Sequence, residues 1–151
     1  MAIAPNTTFF TGYTLTATQL NAFPRGVMAF NTATASDTTI FGEEVQITGS
    51  SFTAVANRYY KITYFEPSIF NSSGATATAR IRLTNLAGAV QQTALSFAYV
   101  TWEDMSCVAV TTLTAGPTNF VATLTSSDGT SQASRTSTQY AFLLVEDIGP
   151  A

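Results

Sequence analysis

Arg58-Tyr-Tyr-Lys-Ile-Thr-Tyr-Phe65 is the stretch that decides the fold. Aromatic and β-branched side chains dominate it and no Gly, Pro or Asn interrupts it, so it is built for a pleated strand. At a period of two, Tyr60, Ile62 and Tyr64 share one face while Tyr59, Lys61, Thr63 and Phe65 share the other. The first set belongs in a core. The second mixes aromatic and polar groups, and a subunit interface would explain aromatics on an outer face better than water does.

Moving outward, the same alternation returns in Ala77 to Asn85, where Ile81 and Leu83 lie opposite Arg80, Arg82 and Thr84. Runs of strand length recur at Gly26 to Thr32, Glu43 to Thr48, Val90 to Ala98, Ser106 to Leu113, Asn119 to Thr125 and Gln139 to Glu146. With the two runs above they predict an all-β chain, an antiparallel β-sandwich of about eight strands, which is the number of a jelly roll. Turn chemistry separates the runs: Asn71-Ser-Ser-Gly74, Gly116-Pro117 and Ser127-Asp-Gly129 supply positive or fixed φ where the chain must reverse.

The first 25 residues read differently and form an N-terminal arm, leaving 26–151 for the sandwich. Thr16 followed by Gln19 fits a capping box, Leu15 and Leu20 are spaced as a hydrophobic staple, and Pro24 stops the helix, so the arm carries one brief helix. Such an arm either packs on its own domain or docks onto a neighbouring chain. Both arrangements keep it outside the sandwich core.

Composition bounds the function. At 151 residues the chain is one domain, large enough to bury a core without disulfides or metal. Charged residues make up 10% against roughly 25% in soluble domains, so exposed strand edges have few charged gatekeepers and a closed oligomer is expected to hide them. A net charge of -3 with cations that form no run argues against nucleic acid. No basic segment precedes an apolar one at the N-terminus, and no apolar stretch approaches a membrane span, so the expectation is a polypeptide made soluble in the cytoplasm, with no membrane insertion.

Chemistry is scarce. The chain has no His, the usual general base and metal ligand, and its single Cys, Cys107, reads as a small buried apolar residue. The adjacent acids Glu43-Glu44, Glu103-Asp104 and Glu146-Asp147 point to opposite faces if they lie on strands, so none presents a joint acid and base. A loop at Glu103-Asp104 could hold a metal ion through oxygen ligands, although the spaced Asp/Asn ladder of a calcium loop is missing and a solvated loop is the simpler expectation. Trp102 and Tyr99 are candidates for stacking on a sugar ring or for an interface. The expectation is a non-enzymatic protein with no catalytic residue, cofactor or metal.

The leader Thr14-Leu-Thr-Ala-Thr-Gln-Leu-Asn-Ala-Phe-Pro-Arg-Gly-Val27 and the terminus Ala141-Phe-Leu-Leu-Val-Glu-Asp-Ile-Gly-Pro150, with the β pattern between them, resemble a group of small tailed-bacteriophage virion proteins, the minor tail or fibre proteins. The resemblance spans nearly the whole chain by order of elements, and its specific motifs are these two ends. It implies a trimeric head of jelly-roll or tumour-necrosis-factor-like shape on the particle surface, tethered by the leader to another virion protein. Leu15, Leu20 and Phe23 are then the candidate docking side chains. No long fibre shaft is present, which implies a small knob or decoration. The expected role is a homotrimeric surface module of the tail or host-adsorption apparatus. A capsid decoration protein of the same fold is the alternative, and a carbohydrate-binding module that meets a host surface glycan through Tyr99 and Trp102 is a second one.

Overall fold

A computed structural model describes residues 12, 14–71, 75–96, 101–127 and 131–151. They form one short helix, α1 (Ala17–Asn21), and the strands β1 (Gly26–Ala33), β2 (Asp37–Ile40), β3 (Glu44–Thr48), β4 (Phe52–Ala54), β5 (Arg58–Phe70), β6 (Ala77–Leu83), β7 (Val90–Ser96), β8 (Trp102–Thr112), β9 (Gly116–Thr118), β10 (Phe120–Ser126), β11 (Ser131–Ala133) and β12 (Ala141–Pro150).

All pairings are antiparallel. The first sheet runs β1-β12-β5-β8, with β11 and β2 continuing beside the far end of β5, and the second runs β3-β10-β6-β7. Apart from the β6-β7 hairpin, consecutive long strands thus alternate between sheets, in the order of a jelly roll. The predicted runs correspond to the eight long strands β1, β3, β5, β6, β7, β8, β10 and β12.

The core lies between the sheets. Tyr60, Ile62 and Tyr64 of β5, Leu143 and Val145 of β12 and Cys107 and Ala109 of β8 face Ala79 and Ile81 of β6, Ile47 of β3 and Phe120, Ala122 and Leu124 of β10. Each large side chain removed from water here contributes about 1.5–3 kcal/mol. The two buried tyrosines keep their hydroxyls paired: Tyr60 Oη accepts from Val55 N at 2.7 Å, and Tyr64 Oη donates to Glu66 Oε2 at 2.7 Å. Between β6 and β7 the chain turns so tightly that a Cβ on Gly88 would lie 1.6 Å from the Leu83 carbonyl oxygen, which leaves room only for glycine.

Several boundaries differ from the sequence expectation. β5 continues five residues past Phe65, through Pro67, because a register shift against β8 between Glu66 and Ile69 relieves Pro67 of a ladder bond. β8 starts at Trp102, so Glu103 and Asp104 are strand residues and not a loop. Gly116 has the expected positive φ, +133°, yet it opens β9, which pairs with β4. The last strand extends to Pro150. Positions 72–74 and 128–129 of two expected turns lie outside the described residues, as do 97 and 98 at the end of the expected Val90 strand.

Candidate functional site

The two sheets turn very different faces outward. On the first, register places Phe30, Leu144, Thr63 and Val108 in one row across β1, β12, β5 and β8, and Thr32, Phe142, Phe65 and Ser106 in the next. Phe142 joins the rings, 5.9 Å from Phe30 and 5.4 Å from Phe65. Phe30 and Val110 stay 51% and 57% exposed. Charge enters this face through Lys61 and Glu146, paired at 3.4 Å below the aromatic rows, and through the exposed Asp104 near the start of β8. An apolar face spread over four strands is what an interaction surface requires. Pro67, Thr138, Gln139 and Tyr140 extend it into a groove beside Phe65 and Phe142.

On the second sheet the outward rows are Val45, Thr123, Arg80, Thr93, then Thr48, Val121, Arg82, Val90, and at the other end Thr125, Thr78, Leu95. Glu43 reaches across them. It accepts from Arg82 Nε at 2.6 Å and Nη2 at 2.7 Å, from Arg80 Nη1 at 2.9 Å and from Thr123 Oγ1 at 2.7 Å. The Arg82 hydrogen bonds, against the opposing effect of burial, hold its carboxyl at about 2 instead of 4.5. A lowered folded value means a contribution that is complete above about pH 4.5 and is lost as pH falls through about 2. Thermal melts from pH 7 to 2 should therefore show Glu43→Gln with a flatter curve than the parent between pH 4.5 and 2.

Inside the molecule a polar chain crosses one end of the sandwich. Arg135 donates to Glu66 from Nε at 2.8 Å and from Nη2 at 2.6 Å, to Gln46 Oε1 at 2.6 Å and to the Ala35 carbonyl at 3.1 Å. Gln46 Nε2 in turn donates to Asp37 Oδ2 at 2.9 Å and Glu44 Oε1 at 3.2 Å. Burial and the neighbouring Asp37 raise the Glu44 value; for Asp37, burial is outweighed by hydrogen bonds from Gln46 and the Thr39 N–H, which lower it. Two carboxylates do converge here, seven positions apart on different strands, a pair that adjacency in sequence does not reveal. Their shared partner is an amide fixed by Arg135, so the arrangement ties β2 to β3.

Of the adjacent acids, Glu146 and Asp147 separate as strand geometry requires, and Glu43, just before β3, parts from Glu44. Glu43 belongs to the outer cluster and Glu44 to the Gln46 network, while Glu146 faces out and Asp147 in. Glu103 and Asp104 are exposed and line a groove between β7 and β8 with Leu95, Ser96 and Ser106. No group of three potential metal-ligating His, Cys, Asp or Glu side chains occurs among the described residues. Cys107 is buried, and desolvation pushes its thiol up to about 11. A thiol-specific disulfide reagent at pH 8 should label less than about a tenth of the folded protein in the time that labels the unfolded chain fully.

The candidate docking side chains of the arm are all exposed, Leu15 at 42%, Leu20 at 54% and Phe23 at 37%. The capping box at Thr16 is present, with Gln19 N donating to Thr16 Oγ1 at 3.2 Å and Thr16 N donating to Gln19 Oε1 at 2.9 Å. Trp102, the first residue of β8, is 51% exposed on the outward face of the first sheet and packs at 5.3 Å against Phe70. Tyr99 lies outside the described residues. No helix among the described residues is long and apolar enough to cross a membrane.

No family model matches this chain, and no curated protein matches it. Among solved structures, the structure of infectious bursal disease virus Gx strain is similar over 85% of this chain and 41% of that one, at 14% identity and a TM-score of 0.27. The chain spans less than half the length of that protein, and a likeness at this TM-score carries no functional argument.

Proposed function

We propose that this chain is a non-enzymatic structural protein of a tailed-bacteriophage virion, a homotrimeric surface module of the tail or host-adsorption apparatus. The observation that carries the reading is the contrast between the two outer faces. Phe30, Phe65, Phe142, Leu144, Val108 and Val110 are turned outward on the first sheet in adjoining rows, while on the second the exposed Val45, Val90 and Leu95 are set apart by Arg80, Arg82 and the exposed Thr48 and Thr93. A monomer with so little charge gains by covering the apolar face with copies of itself. Placement in a phage virion rests on the resemblance of the leader and terminus, and the exposed Leu15, Leu20 and Phe23 support docking of the arm onto another virion protein.

Separating tails from capsids of the source particle and locating the chain in each by mass spectrometry tests the placement. Recovery with tails supports the tail assignment, recovery on tail-less capsids makes the chain a capsid decoration protein, and absence from both refutes a virion role.

A second reading has its own observation: Trp102, half exposed against Phe70, is a platform on which a sugar ring could stack. Binding on a glycan array that disappears in Trp102→Ala would favour a host-glycan module. Binding that survives the substitution rejects that site.

A further inference from the structure

We propose that residues 21–25 are a strap, fastened over the end of the sandwich by the buried Arg58–Asp147 pair, so that the arm leaves the head in one fixed direction. Arg58 opens β5 and lies on the same side as Tyr60, Ile62 and Tyr64; Asp147 lies on the same side of β12 as Leu143 and Val145. Both charges therefore point toward the core at its end. Their side chains are 5% and 0% exposed.

The guanidinium divides its donors between two jobs. Nε donates to Asp147 Oδ2 at 2.5 Å and Nη2 to Oδ1 at 2.7 Å, which is the bidentate fork that matches a carboxylate. Nη1 donates to the Asn21 carbonyl at 2.5 Å and Nη2 also to the Phe23 carbonyl at 2.6 Å. Asp147 faces the strap too: the Gly149 N–H donates to its Oδ1 at 3.0 Å, and the nearby Arg25 N–H helps to lower its pKa. Arg58 thus grips arm backbone as well as its partner.

The arm has reason to accept these bonds. α1 ends at Asn21, where helix carbonyls run out of intrahelical donors, and Pro24 brings no N–H of its own. The arm lies within ordinary van der Waals reach of the last strand: a Cβ on Gly149 would lie 4.0 Å from the Ala22 carbonyl oxygen. A buried pair is costly unless its remaining donors and acceptors are filled, and the arm backbone fills them. The strap stands on these contacts alone; with the proposed docking, it would present Leu15, Leu20 and Phe23 to the partner at a set angle to the head.

Limited trypsin digestion of the full chain tests this, since Arg25-Gly26 is a cleavable bond directly beside the strap. Arg58→Lys keeps the charge but loses the planar fork, so a single ammonium cannot serve the carboxylate and both carbonyls. The expected result is at least about tenfold faster cleavage after Arg25, with the 26–151 fragment surviving and melting cooperatively. Unchanged cleavage overturns the strap. So does simultaneous fragmentation after Arg80, Arg82 and Arg135, or failure of the variant to fold, since either would make the pair a support of the whole sandwich. In the parent protein the Arg25 amide should be protected from hydrogen exchange; exchange at the rate of a free peptide overturns the proposal independently.

Discussion

Replacing Phe142 by Asp is expected to turn the proposed trimer into folded monomers. Phe142 sits on the outward face of β12 between the rings of Phe30 and Phe65, at the centre of the apolar rows. In a monomer the new carboxylate can reach water, and the sandwich loses only the ring packing, about 1–2 kcal/mol. In an interface the same carboxylate is buried without a partner in every copy, which costs several kcal/mol each time. Association should weaken by at least about a hundredfold. Thr93→Asp, exposed and outward on the second sheet, is the control that should leave assembly intact. Light scattering on both variants reads the outcome, and a Phe142→Asp trimer would move the interface off this face.

The second large effect belongs to Arg135. Arg135→Met should destabilise the protein by about 3–5 kcal/mol, because it strands the fully buried Glu66 carboxylate and removes the partner of Gln46 Oε1. For a chain of this size that is a fall of roughly 10 °C or more in Tm. The double variant Arg135→Met with Glu66→Leu should recover most of the loss, since replacing a buried ion pair by apolar groups is often close to neutral. Chemical denaturation of the single and double variants measures the coupling. A single-variant cost under about 1 kcal/mol would mean that water or another donor already serves Glu66.

The eight long strands were legible because each carries enough alternation to fix its faces, as Arg58 to Phe65 does. β2, β4, β9 and β11 were not, because a segment such as Phe52-Thr-Ala54 is too short for a period to emerge and is held by its partner. The expected strand stopped at Phe65, and the register shift between Glu66 and Ile69 is what lets β5 run on through Pro67. The apolar face was visible in part: Tyr59 to Phe65 announced outward aromatics, but joining Phe30, Leu144, Val108 and Val110 to them requires knowing which strands are neighbours.

The two buried ion pairs link positions 89 and 69 residues apart, so local spacing could not pair them. The sequence carries a signal for them nonetheless. Arg58 and Glu66 fall on the same parity as Tyr60, Ile62 and Tyr64, and Asp147 on that of Leu143 and Val145. A charge in phase with an apolar face must find its opposite. Strand parity therefore marks these three residues as members of buried pairs, although it cannot say which charge meets which.

Self-assembly through the first sheet is tested most directly by the mass of the purified full chain, measured by light scattering across micromolar concentrations. The expected result is about 48 kDa, three times the 16.0 kDa of one chain, with no dependence on dilution over that range. A single species at 16.0 kDa would contradict it.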